Sequence, residues 1–242
     1  MKILCKFLAG SKAYGLATPT SDTDIRFCFL NTEIGQIIGL DRHEDQVNQT
    51  KTEDSVGYEV RRFFQLLRKT NSQVLEMLFN DNWLEVDDEF NRSVLQNRTK
   101  FLDTKYTFKS LCGYIYGEKA LVNGLRQGRI GGKRKEAVEK YGYSYKNAVQ
   151  ALRLIYCAQI FFTKRYFPVN IRKENKEFCE FLMQIKTHPE NFTKEQILGL
   201  IDNSEEEMKL AFDTRDKSLD YEFDLAYANE IALRLYYPLL KL

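Results

Sequence analysis

The chain has 242 residues, with 36 Lys and Arg against 34 Asp and Glu for a formal net charge of +2, and it is 43% hydrophobic and 13% aromatic. That length and apolar share support two compact parts with a real core, and the near-neutral charge excludes a polycation that grips nucleic acid over its whole surface. No apolar run reaches transmembrane length and residues 1–9 are too short for a signal peptide, so a soluble, cytoplasmic protein without a membrane partner is expected.

The first expected element is a strand over residues 2–9, followed at once by Gly-Ser-Lys-Ala-Tyr-Gly from Gly10 to Gly15, with a short helix opening over 12–17. Gly10 and Gly15 let backbone amides approach phosphate oxygens with no Cβ in the way, and Ser11 adds a hydroxyl donor. Asp22 and Asp24 come next, then the apolar run Ile25, Phe27, Cys28, Phe29 and Leu30, which predicts a buried strand over 24–30. Alternation along a strand aims Asp22, Asp24 and Arg26 the same way, and two convergent carboxylates suit octahedral Mg²⁺. A calcium loop counted from Asp22 fails: Glu33 stands twelfth, but Arg26 and Phe27 occupy positions five and six, where a ligand and a glycine are needed. No Walker-type or dinucleotide glycine pattern is present.

Residues 41–52 are polar and turn-prone and read as an exposed loop over the nucleotide site. A strand over 54–60 carries Asp54 and, on the opposite face, Glu59, whose alternative role is to start the following helix. Helices are expected over 61–70 and 71–79, with Glu76 either a polar ligand or a local pair, and Trp83 anchoring the surface behind them. From residue 87 onward no further strand is expected. Apolar residues recur at helical spacing over 104–127, 144–167, 174–187, 193–213 and 221–240. The fold class is therefore α+β: a small mixed-sheet catalytic domain over 1–100 and an all-helical domain over 101–242 that binds substrate.

Arg126, Arg129, Lys133, Arg134 and Lys135 lie in a glycine-containing segment read as a flexible loop, with Tyr141, Tyr143 and Tyr145 just after it. Basic residues beside aromatics can hold phosphates and stack bases, so this segment is the candidate nucleic-acid contact; a solvated interhelical loop is the alternative. The five cysteines, Cys5, Cys28, Cys112, Cys157 and Cys179, form no close pairs, which suggests reduced thiols. With His43 and His188 the only histidines, neither a zinc set nor a hydrolase triad is expected.

Gly10-Ser11, Gly15, Ser21, Asp22 and Asp24 together resemble the signature of the DNA-polymerase-beta-type nucleotidyltransferase superfamily, and Gly-Ser-x-Ala-Tyr-Gly-Leu-Ala-Thr-Pro-x-Ser-Asp-x-Asp-x-Arg resembles its RNA-repair-pathway, RlaP-like branch. The match extends over 54–79 and over 146–153, where the branch tends to carry Lys, His and Arg; here these are Lys146, Gln150 and Arg153. The resemblance implies a third metal carboxylate on a later strand, for which Asp54 matches best and Glu59 is the fallback. It implies catalysis and metal binding by Asp22, Asp24 and Asp54. Triphosphate contacts would come from Gly10, Ser11, Lys12, Gly15, Ser21, Arg26, Lys146 and Arg153. The implied reaction is transfer of a nucleoside monophosphate from a triphosphate such as ATP, with Mg²⁺ or Mn²⁺, to an acceptor hydroxyl, with an RNA end as the first expectation. A protein hydroxyl as acceptor and a catalytically silent nucleotide- or RNA-binding module are the alternatives. These residues leave the oligomeric state open.

Overall fold

A computed structural model describes residues 1–38, 45–49, 54–124 and 132–240. Five strands make one mixed sheet: β1 (Lys2–Ala9), β2 (Asp24–Leu30), β3 (Gln46–Gln49), β4 (Asp54–Glu59) and β5 (Trp83–Val86), in the order β3-β4-β2-β1-β5. The β2–β4 pair is parallel, and the β1–β2, β3–β4 and β1–β5 pairs are antiparallel. The α+β class expected from the sequence is the observed one.

One face of the sheet is apolar. Ile25, Phe27 and Phe29 are buried there, with Ile3 and Val47 packed against them. A Cβ on Gly57 would sit 2.2 Å from the Phe27 ring, so only glycine lets that ring lie across β4. Asp24, Arg26 and Cys28 alternate onto the other face.

Two strands correct the sequence reading. Of the loop expected over 41–52, the described part contains β3; the remaining residues, 41–44 and 50–52, lie outside the described residues. Trp83, read as a surface anchor, opens β5, and its ring meets Phe7 edge-on at 6.3 Å between centroids. Both are four-residue edge strands, and neither carries an uninterrupted apolar run like residues 27–30 of β2.

The helices in the first half are α1 (Gly10–Tyr14), α2 (Ile34–Ile38), α3 (Val60–Arg68), α4 (Ser72–Phe79) and α5 (Asp88–Phe90), the last running into one π-helical turn. Then come α6 (Thr104–Val122), α7 (Gly132–Tyr141), α8 (Tyr145–Lys164), α9 (Ile171–Glu174), α10 (Lys176–Thr187), α11 (Lys194–Thr214) and α12 (Leu225–Leu240). Among the described residues no helix is long and apolar enough to cross a membrane.

The chain divides into two compact units. Unit 1 comprises Met1–Thr107 and Leu219–Leu242; unit 2 is Phe108–Ser218. In unit 1, α12 returns to the sheet-bearing part. Phe64 stacks on Phe101 at 5.4 Å, Phe101 meets Tyr227 at 5.7 Å, and the Tyr227 hydroxyl donates to the Ser93 carbonyl at 2.9 Å. The two crossing points of the chain are clasped together: Thr104 N–H donates to the Tyr221 carbonyl at 3.0 Å, and Tyr221 N–H donates to Thr104 Oγ1 at 2.8 Å. In unit 2, Leu152, Ile155, Ala158 and Phe161 on α8 are buried. Phe108 stacks on Phe212 at 3.8 Å, and Tyr156 on Phe178 at 4.6 Å.

Candidate active site

The site is built where β1 turns into α1 and where β2 and β4 begin. Parallel pairing puts Asp24 directly opposite Asp54, each the first residue of its strand, so both carboxylates stand at one end of these interior strands. Neighbouring strands lie about 4.8 Å apart, close enough for the two to share a ligand. Asp22 stands two residues before β2.

Gly10 joins the turn to this end of the strands. Its φ is +59°, and a Cβ there would sit 1.9 Å from Asp24 Oδ2, so backbone sterics and side-chain space both demand glycine. The other end of α1 closes at Gly15, with φ +75°, while Ser11 O accepts from the Gly15 and Leu16 amides. Ala13 and Leu16 are buried and seat the turn, leaving Ser11 and Lys12 on its outer side. Ser21 shapes the approach to the carboxylates: its Oγ accepts from Thr18 N–H at 2.9 Å and its own N–H donates to Thr18 O at 3.0 Å.

Charge is concentrated at this end of the strands. Burial pushes the Asp24 carboxyl above its ordinary value; Arg26 pulls it down, Asp54 and Asp22 push it further up, and Lys12 pulls it down. Lys12 Nζ donates to Thr23 Oγ1, between the two aspartates, and Arg26 donates to the Ile25 carbonyl at 2.9 Å. A hard divalent cation suits such a carboxylate set, because it replaces mutual repulsion with shared coordination. Among the described residues no three His, Cys, Asp or Glu side chains stand grouped as metal ligands.

Glu59 has a different place. It is fully buried, caps α3 by accepting from Arg61 N–H at 2.9 Å, and accepts a hydrogen bond from the Tyr236 hydroxyl. Burial raises the Tyr236 hydroxyl well above its ordinary value, and the bond to Glu59 raises it further.

Other residues singled out in the sequence are in unit 2 or outside the description. Lys146 is exposed on α8, whereas Arg153 is fully buried there, its Nε donating to Gln150 Oε1 at 3.2 Å. Burial lowers the Lys186 ammonium, and the nearby Lys146 charge lowers it further. Arg126 and Arg129 lie outside the described residues. Lys133, Arg134 and Lys135 belong to α7 rather than to a flexible loop, and Lys135 makes an exposed pair with Glu139 at 3.7 Å. Tyr143 cannot stack a base: it is fully buried and its hydroxyl donates to the Pro189 carbonyl at 2.9 Å.

Sequence reasoning missed two tyrosine contacts behind the site. Tyr14 donates to Glu76 Oε2 at 2.7 Å, and Tyr58 donates to Gln73 Oε1 at 2.8 Å. The residues involved are 62 and 15 positions apart, beyond any local pattern.

A mixed sheet with paired aspartates on parallel neighbours, beside a glycine-hinged turn, has the character of a polymerase-beta-type nucleotidyltransferase domain. Residues 1–231 match RlaP, the RNA repair pathway DNA polymerase beta family, and the chain belongs to that family. No curated protein matches the chain.

Proposed function

We propose that the protein is a divalent-metal-dependent nucleotidyltransferase that moves a nucleoside monophosphate from a triphosphate to a hydroxyl, with an RNA end as the acceptor. The observation that carries this reading is the placement of Asp24 opposite Asp54 with the bare Cα of Gly10 against Asp24. The RNA acceptor rests on the family's RNA-repair description. Thiols without a disulfide, four of the five buried, support a reducing, cytoplasm-like setting.

The acceptor oxygen would form a bond to the α-phosphorus while the bond to pyrophosphate breaks on the opposite side. Asp22, Asp24 and Asp54 would hold Mg²⁺ or Mn²⁺, which when bound supplies charge neutralisation on the phosphates and acidity at the attacking hydroxyl. The α1 amides and the Ser11 hydroxyl would grip the outer phosphates, a preorganised contact that needs no proton transfer. Lys12 and Arg26, whose charges both act on Asp24, would balance phosphate charge. With Glu59 engaged at the α3 N-terminus, Asp54 is the third carboxylate in this reading.

The test is incubation with α-labelled nucleoside triphosphates, Mg²⁺ or Mn²⁺, total RNA and total protein. Label is expected in RNA. Asp24→Asn and Asp54→Asn should each lower incorporation by roughly a thousandfold, the several kcal/mol that metal-ion catalysis supplies. Glu59→Gln should instead lower the melting temperature. Label in protein would transfer the reading to a protein hydroxyl; label nowhere, or full activity in Asp54→Asn, would overturn it.

A further inference from the structure

We propose that Glu76, acting through Tyr14, is a positioning residue that holds the phosphate-binding turn in its working conformation; the turn's role in gripping triphosphate rests on the function proposed above. Tyr14 is the last residue of α1, next to Gly15, where the chain turns through a positive φ. Its hydroxyl donates to Glu76 Oε2 at 2.7 Å, and Glu76 is only 8% exposed. The turn is thus fixed at both ends: Gly10 lies against Asp24 at the start, and Tyr14 reaches Glu76 at the finish. Ser11 and Lys12 lie between these anchors.

The contact belongs to a larger arrangement. Gln73 and Glu76 are three residues apart on α4 and so share a face. One accepts from Tyr58, four residues beyond Asp54 on β4, and the other from Tyr14 on the turn. A single rigid helix therefore references both the carboxylate strand and the phosphate turn. Asn71 secures the start of that helix by accepting from the Gln73 and Val74 amides. A hydrogen bond to a carboxylate is among the stronger neutral–charged contacts, and its loss frees the end of a five-residue helix that has little stability of its own.

Tyr14→Phe and Glu76→Ala test the tie, with Glu76→Gln as the conservative variant, because an amide oxygen also accepts from a hydroxyl. In the nucleotide-free protein, amides of residues 11–16 should exchange roughly tenfold faster in Tyr14→Phe, with β2 amides unchanged. In the transfer assay both disruptive variants should raise the KM for triphosphate roughly tenfold, with kcat within about twofold. Glu76→Gln should restore most of the loss, and the double variant should be no worse than Glu76→Ala alone. Unchanged exchange in Tyr14→Phe would overturn the tie, and so would a kcat loss at constant KM. If exchange responds while the native protein transfers no label, the nucleotidyl-transfer reading fails and the tie stands.

Discussion

Gly10 is the residue at which backbone and chemistry meet most tightly. A side chain there would have to occupy the position of the Asp24 carboxylate, and the left-handed φ of +59° would be strained for alanine in any case. Gly10→Ala is therefore expected to cost about 1–3 kcal/mol by crowding and strain, and to abolish transfer by displacing Asp24. Denaturant unfolding reads the first effect and the labelled-nucleotide assay the second; a variant with native stability and activity would refute the close approach. The motif Gly-Ser-Lys-Ala-Tyr-Gly and the pair Asp22 and Asp24 could be singled out as a candidate phosphate and metal site from residue chemistry alone, and the structure brings Gly10 against Asp24. The reason for Gly10 was legible only in part. The sequence suggests room for a phosphate, whereas the space is already needed by Asp24.

At the level of elements, edge and interior separate what could be read from what could not. Interior strand β2 announces itself by an apolar run, because the sheet buries residues 27–30 on both faces. Edge strand β3 packs Val47 against the apolar face, and β5 begins with an exposed Trp83. The end of β5 is fixed by Asp87, which accepts from the Glu89 and Phe90 amides at 3.0 and 3.1 Å to start α5 and pairs with Lys2 at 2.6 Å. Burial by itself would raise the Asp87 carboxyl, but the Lys2 hydrogen bond, the Phe90 amide, the Lys2 charge and the Glu89 amide together hold it below its ordinary 3.8. A lowered carboxyl stabilises the fold above its unfolded value, and that stabilisation is lost as pH falls through the native value. Asp87→Ala should thus cost about 1 kcal/mol at neutral pH, with the difference from the native protein shrinking below pH 3.8. Urea unfolding across a pH series measures this, and a constant difference down to strong acid would refute it.

For the whole molecule, the decisive contacts span great sequence distances. Tyr236 reaches Glu59, Arg234 reaches Glu89 and Tyr227 reaches Ser93 across 177, 145 and 134 residues. No periodicity reveals such pairings, which is why the helical pattern of 221–240 was legible and its membership of unit 1 was not. Topologically, residues 108–218 are an excursion from unit 1, leaving and returning at the Thr104–Tyr221 clasp. Replacing 108–218 by a short Gly/Ser linker should leave unit 1 folded, with a single cooperative melt. Ending the chain at Ser218 should destabilise it by several kcal/mol, as the loss of buried Ile231 and Leu235 implies. Circular dichroism melts distinguish the two, and equal stability would refute the topology.

That clasp also sets an order of events during synthesis. The ribosome delivers Leu219–Leu242 only after all of residues 108–218, so the paired aspartates are made early but the unit that holds them lacks α12 until late. Residues 108–218 are complete while the sheet-bearing part still lacks α12. The nascent chain therefore carries Asp24 and Asp54 in an incomplete setting until α12 arrives to close unit 1 over a long sequence distance.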